Sequence, residues 1–149
     1  MKSLAHIFNA LEKAVLELKT DNHEIEIGRA AETKIQCKEG DRELTIFSAV
    51  GTLTSIEFIL PIHNDDLNTK KIERICGTDP GEEGFTSGSE EYMDYQIEIE
   101  SETVDLAIQF DAAVHGIAYF FDVKPYKVWD IINNENPAPY DEALKFLHS

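Results

Sequence analysis

The sequence predicts an α+β fold, in which an N-terminal amphipathic helix and two short C-terminal helices accompany a largely antiparallel sheet of about seven strands. Three observations support this fold class. Apolar residues near the N-terminus follow helical spacing, the segments from His23 onwards alternate with a period of two, and Pro125 opens another helical stretch. No internal repeat or second domain is visible, so residues 1–149 are expected to form a single domain.

The N-terminal helix is predicted from one apolar face and from signals at both ends. Ser3 is a suitable N-cap, and Asp21 with Asn22 provides a polar stop. We expect the apolar face to cover the sheet. That face consists of Leu4, Ile7, Phe8, Leu11, Val15 and Leu18.

Alternating segments between His23 and Ile62 predict the first four strands. Residues 39–41, with the sequence EGD, are a hairpin turn signal between the second and third segments. The fourth segment has apolar residues on both parities around Ile59, which predicts a central strand that is covered on both faces and ends at Pro61. The alternating apolar positions are Ile25, Ile27, Ile35, Cys37, Leu44, Ile46, Val50, Ile56, Phe58, Leu60 and Ile62.

The second half of the chain is predicted to begin with irregular structure. Residues 70–76 fit a short strand or a helical turn equally well, and the four glycines of residues 77–90 indicate a surface loop. A hairpin with Ser101 and Glu102 at its turn follows, because pairing 93–99 with 104–110 places apolar residues opposite one another. A strand near 117–123 and a last short helix from Asp141 complete the expected elements.

Negative charge is concentrated in one part of the chain. The formal net charge is −16, and residues 75–123 contain 12 acidic residues and no Lys or Arg. In the predicted hairpin Glu98 faces Asp105, and like charges directly opposite one another are destabilising. We therefore predict an acidic partner-binding surface that consists of Glu82, Glu83, Phe85, Glu90, Glu91, Tyr92, Asp94, Glu98, Glu100 and Asp105.

Such a surface repels nucleic acid and anionic membranes and attracts basic proteins. The leading hypothesis is a non-catalytic cytoplasmic inhibitor, either an immunity protein for a nuclease toxin or a phage-type inhibitor that imitates nucleic acid. Its carboxylates would compete for the cations with which a nuclease holds phosphates. Phe85, Tyr92 and Tyr95 would supply aromatic anchors. A monomer or a homodimer is compatible with this role.

Four other interpretations stay open. The acidic face could serve solubility alone, or the chain could be an acidic secretion-type chaperone that binds a client segment as a dimer. A small hydrolase could use scattered His, Cys or acidic residues. The acids around the glycine-rich loop, which include Asp79, could bind Ca²⁺, although their spacing does not match an EF-hand.

The sequence lacks the motifs of several common catalytic and ligand-binding sites. The chain has no P-loop, no dinucleotide-binding glycine pattern, no nucleophile elbow and no zinc-like Cys/His spacing. We therefore expect no catalytic residue, no metal and no cofactor. Cys37 and Cys76 are expected to be free thiols in a reducing compartment, with a single disulfide as the alternative. No apolar run is long enough to cross a bilayer, and the N-terminus does not resemble a signal peptide.

Overall fold

Helices pack against one face of an antiparallel sheet. The computed structural model of the chain describes residues 4–29, 32–49, 55–67, 69–76, 85–100, 106–133 and 147. Five of its strands have six to nine residues, and a sixth, β5, is a short edge strand of four, so the predicted number of about seven is too high. The strand order is β1-β2-β3-β4-β6-β5. The elements are α1 (Leu4–Leu18), β1 (Glu24–Arg29), β2 (Glu32–Glu39), β3 (Arg42–Ala49), β4 (Ser55–His63), a 3₁₀ turn (Asn64–Asp66), α2 (Lys70–Cys76), β5 (Phe85–Gly88), β6 (Tyr92–Glu100), α3 (Leu106–Phe121) and α4 (Pro125–Asn133).

The N-terminal helix is confirmed. α1 packs against β4, α3 and α4 with the face that the apolar spacing predicts. Arg29, the last residue of β1, forms an ion pair with Glu12 of α1, which links the helix to the edge of the sheet. The buried residues of α1 are Leu4, Ile7, Phe8, Ala10, Leu11, Ala14 and Val15.

The first three strands form an antiparallel meander. Ile25 pairs with Cys37, and Cys37 pairs in turn with Leu44, so apolar residues form a row across the strands. Pairing of Glu39 with Arg42 leaves Gly40 and the following residue as a two-residue turn, at the predicted place. Gly40 has a φ of 60°, which a type II′ hairpin requires at its first central position.

β4 is a central strand with one fully buried face. Ile56, Phe58, Leu60 and Ile62 are 0% exposed, whereas Glu57 and Ile59 of the opposite parity are partly exposed. The prediction that both faces are covered is therefore too strong. The strand also continues through Pro61 to His63, because beyond Ile59 only β6 pairs with it and the missing proline N–H breaks no ladder with β3.

The predicted hairpin of residues 93–99 with 104–110 is wrong, and so is the strand near 117–123. Residues 106–121 form one helix, α3, and β6 pairs with β4 and β5 instead. The apolar residues of β6 find equivalent partners on β4, since Ile97 faces Phe58 and Ile99 faces Ile56. The alternation over residues 104–110 spans too few positions to distinguish a strand from a helix.

α3 is the central helix of the fold. It contacts β4, β6 and all three other helices, and so it is apolar on almost every side. Gly116 lets it approach the sheet, because a Cβ there would lie 2.9 Å from Cε1 of Phe58. α4 begins at Pro125, as predicted, and packs Trp129 edge-to-face on Phe110 with ring centroids 5.4 Å apart.

The last predicted helix lies outside the described residues except for Leu147, which is buried. No helix among the described residues is long and apolar enough to cross a membrane.

Candidate functional site

Three carboxylates gather on the face of the sheet opposite the buried one. Glu57 of β4 pairs directly with Glu98 of β6, and Ser55 pairs with Glu100. Glu98 and Glu100 point to the same face because they are two positions apart on one strand. We call Glu57, Glu98 and Glu100 the carboxylate cluster.

The carboxylates of the cluster repel one another at Glu98. Partial burial raises the pKa of Glu98 above its ordinary value, and the charges of Glu100 and Glu57 and a hydrogen bond with Glu100 raise it further. Neither β4 nor β6 contains a Lys or Arg. Like charges at directly paired positions are unfavourable in a sheet, so the arrangement does not stabilise the fold.

An aromatic side chain adjoins the cluster. Phe47 of β3 pairs with Glu57, so the side chains of these two residues and Glu98 follow one another across the outward face. Phe47 is half-buried. It supplies an apolar contact beside the negative charge.

The predicted binding residues do not form one patch. Glu98 and Glu100 belong to the cluster, whereas Tyr92 begins β6 and Glu90 and Glu91 precede it. At about 3.3 Å per residue, Tyr92 is roughly 20 Å from Glu98 and roughly 26 Å from Glu100. The backbone carbonyls of Glu90 and Glu91 accept hydrogen bonds from Asn64, and both side chains are exposed.

The other predicted binding residues lie away from the carboxylate cluster or outside the described residues. Asp94 points to the outward face, nearer the start of β6. Phe85 pairs with Tyr95 and contacts its ring edge-to-face at 5.1 Å, on the face that also carries the buried Ile97, so these two aromatics are not anchors beside the cluster. Glu82, Glu83 and Asp105 lie outside the described residues, as does Asp79 of the calcium hypothesis.

Glu57 is the member of the cluster that the sequence analysis missed. Its parity on β4, between the buried Ile56 and Phe58, was a usable signal for an outward side chain. The sequence could not predict that Glu57 lies beside Glu98, because the pairing of β4 with β6 joins segments about 40 residues apart in the chain.

A groove of about 880 Å³ lies where the strand ends meet the helices. The β2–β3 hairpin, the end of β4 and the start of β6 form one side, and α2, α3 and the α3–α4 connection form the other. It is a pocket of the size that small ligands occupy, and polar side chains converge in it. Its ionisable and aromatic residues are Glu39, Arg42, His63, Asp66, Lys70, Arg74, Tyr92, His115, Tyr119, Asp122 and Lys124.

Tyr119 fixes one wall of the groove. Its hydroxyl donates to Oδ2 of Asp66 at 2.6 Å and accepts the backbone N–H of His63 at 3.1 Å. Burial and the bond to Asp66 raise the pKa of Tyr119 to about 12. The ring of His63 meets that of Tyr92 edge-to-face at 5.2 Å, which gives this wall an aromatic surface.

An ion pair between α2 and α3 adjoins the groove, with its carboxylate buried and its guanidinium partly exposed. Nη2 of Arg74 is 2.6 Å from Oδ2 of Asp111, a carboxylate that is 1% exposed. Nε2 of His115 lies 3.7 Å from the other carboxylate oxygen, Oδ1. Burial lowers the pKa of His115, Asp111 opposes that shift and Arg74 reinforces it.

The two thiols are free and poorly suited to catalysis. Burial raises the pKa of Cys37 to about 11 and that of Cys76 to about 12. The thiolate is the reactive form, so neither cysteine is an activated nucleophile. Within the described ranges, no three His, Cys, Asp or Glu side chains are placed to share a metal ion.

Comparison with known proteins returns no relative for this chain: no family model matches it, and neither a curated protein nor a solved structure is significantly similar.

Proposed function

We propose that the protein is a non-catalytic binding protein whose carboxylate cluster docks on a basic protein that processes nucleic acid. The observation that carries this proposal is the direct pairing of Glu57 with Glu98, with Glu100 on the same face and no cation on either strand. Cations supplied by a partner would relieve the repulsion that the free protein bears.

The surrounding surface supports docking of a folded partner. The outward face of β3, β4 and β6 is a sheet face held rigid by pairing on both sides of β4. Phe47 adds apolar area next to the acids, and interfaces combine such anchors with complementary charge. Nucleases carry Lys and Arg where they hold phosphates, so a fixed row of carboxylates competes for those side chains.

The test compares two triple variants with equal charge changes. One replaces the carboxylate cluster by glutamine at Glu57, Glu98 and Glu100. The control replaces Glu17, Asp21 and Glu73, exposed acids on other elements, by the corresponding amides. Affinities are measured by calorimetry against a panel of purified basic nucleases, with oligolysine as the reference for unspecific attraction.

We expect at least one nuclease to bind more tightly than oligolysine. The cluster variant should bind that nuclease about tenfold more weakly or worse, and tenfold corresponds to about 1.4 kcal/mol of binding free energy. The control variant should lose less than about twofold in affinity. Affinity should also fall between about 50 and 200 mM NaCl, because the attraction is electrostatic. Equal losses in both variants, or an affinity that salt does not change, would contradict the proposal.

The chaperone hypothesis makes a different prediction for the same preparation. It requires a stable homodimer with a continuous apolar groove, whereas inhibition of a nuclease needs neither. The large apolar side chains that are exposed among the described residues lie on four different elements and are Leu16, Ile27, Ile108 and Tyr126. Sizing chromatography combined with light scattering would distinguish these two functions.

A further inference from the structure

The groove is much richer in cations than the rest of the molecule. The chain contains 29 Asp and Glu against 13 Lys and Arg, so acids outnumber bases more than twofold. Four cations and three carboxylates line the groove, and a fourth carboxylate, Asp111, is buried beside Arg74. The cations come from three separate parts of the fold: Arg42 from β3, Lys70 and Arg74 from α2, and Lys124 from the connection before α4.

Most of the negative charge in the groove is already engaged. Glu39 is 3.4 Å from Nη1 of Arg42 and 2.8 Å from Nε2 of His23. Asp66 accepts the hydroxyl of Tyr119. The third carboxylate, Asp122, is exposed at the rim.

The two arginines are held in position, and the two lysines are exposed. The guanidinium of Arg42 lies 4.6 Å from the ring centroid of Phe120, and that of Arg74 is held by the buried Asp111. The side chains of Lys70 and Lys124 are exposed at the groove, and neither ammonium group has a hydrogen bond or ion pair within the described part of the chain. Fixed guanidinium groups flanked by exposed ammonium groups form a typical binding site for phosphate oxygens.

We propose that this groove binds a small phosphate-bearing molecule. The phosphate contacts the cations of Arg42, Lys70, Arg74 and Lys124, and the rest of the ligand lies along the aromatic wall of His63 and Tyr92. The volume of about 880 Å³ leaves room for both parts. This site is separate from the carboxylate cluster, so the two proposals can be tested with different variants.

The overall charge of the protein sets the conditions for the test. A net charge of −16 repels any anion at long range, whereas the groove attracts it at contact. At about 0.1 M NaCl the screening length is about 10 Å, so the repulsion is damped and the groove side chains dominate. Titrations of pyrophosphate, with citrate as a polycarboxylate, are therefore compared at this constant ionic strength.

The key variant replaces Lys70 and Lys124 by glutamine. Both side chains are exposed, so the fold should tolerate the change. Its control replaces Lys13 and Lys34, which do not line the groove, and has the same net charge. Pyrophosphate should bind the unmodified protein with a Kd of about 1 mM or below. The groove variant should bind it about tenfold more weakly, and the Kd of the control should stay within about twofold of that of the unmodified protein.

Asp122→Asn removes a negative charge from the groove, whereas the double-lysine variant removes positive charge. Asp122 has a φ of 53°, a conformation that Asn also adopts readily, so this substitution removes charge without straining the backbone. It should tighten pyrophosphate binding. In NMR spectra of the unmodified protein, pyrophosphate should shift the ring signals of His63 and His115 and leave those of His6 unchanged.

Three results would overturn the proposal. They are the absence of saturable pyrophosphate binding up to about 10 mM, an equal loss of affinity in the two double-lysine variants, and weaker binding by Asp122→Asn. Citrate binding more tightly than pyrophosphate would instead assign the groove to polycarboxylates and refute a phosphate ligand.

Discussion

Glu98 is the residue at which the stability of the fold and the proposed binding surface conflict. An acid whose pKa is raised by folding binds its proton more tightly in the folded state than in the unfolded state. The free energy of unfolding therefore falls as the pH rises from the unfolded value of 4.5 through the raised folded value. The destabilisation is complete above that window and absent below it.

Replacement of Glu98 by glutamine should consequently stabilise the protein at neutral pH. Glu98 is exposed and its repulsion is screened, so we expect a gain of about 0.5 kcal/mol at pH 7, which vanishes as the pH falls towards 4.5. Urea unfolding at several pH values measures this difference. Glu17→Gln, at an exposed position of α1, is the control and should leave stability nearly unchanged. A loss of stability in Glu98→Gln at pH 7 would refute the repulsion.

At the scale of the elements, the contact between α3 and β4 depends on a missing side chain. Alanine at position 116 would gain about 1 kcal/mol of helix propensity. Its Cβ would also lie 2.9 Å from Phe58, whose ring is fully buried and cannot move aside. Overpacking of this kind costs about 1–3 kcal/mol, so the clash should exceed the gain.

We therefore predict that Gly116→Ala lowers the free energy of unfolding by about 1 kcal/mol. Equilibrium unfolding in urea, followed by the fluorescence of the buried Trp129, measures it. Gly28→Ala is the matched control, because an added methyl group there meets no atom within 4 Å. Higher stability in Gly116→Ala would mean that propensity outweighs packing at this contact.

The elements that the sequence predicted correctly are those whose signals are local. The apolar face of α1, the alternation of β1 to β4, the turn at Gly40 and the start of α4 at Pro125 each depend on neighbouring residues. α3 was missed because its apolar residues satisfy a period of two over a few positions. Once a partner strand was assigned there, the true pairing of β6 with β4 could not be found.

The candidate sites were less predictable than the fold. Glu98 and Glu100 were identified from local charge density, but Glu57 joins them only through long-range strand pairing. The groove had no sequence signal at all, since Arg42, Lys70 and Lys124 lie far apart in the chain and each looks like an ordinary surface cation. Charge composition therefore indicated the acidic surface and concealed the cationic one.

At the scale of the whole molecule, the net charge of −16 should make stability depend on salt. Like charges are closer together in the folded chain than in the unfolded chain, so their repulsion favours unfolding. Salt shortens the screening length from about 30 Å at 0.01 M to about 3 Å at 1 M and should remove much of this effect. A gain of about 1 kcal/mol corresponds to a rise in Tm of roughly 2–4 °C for a chain of this size.

Thermal unfolding at pH 7 should show that rise in Tm when the NaCl concentration is raised from a low value to about 0.5 M. Near pH 4.5, the isoelectric point, the net charge is close to zero and the salt dependence should vanish. The comparison is made within each pH because His115, whose pKa burial lowers, stabilises the fold when neutral and loses that contribution as the pH falls below 6.5. A Tm that salt leaves unchanged at pH 7, or raises equally at both pH values, would show that the acids are already compensated within the fold. The carboxylate cluster would then lack the repulsion on which the proposed docking role depends.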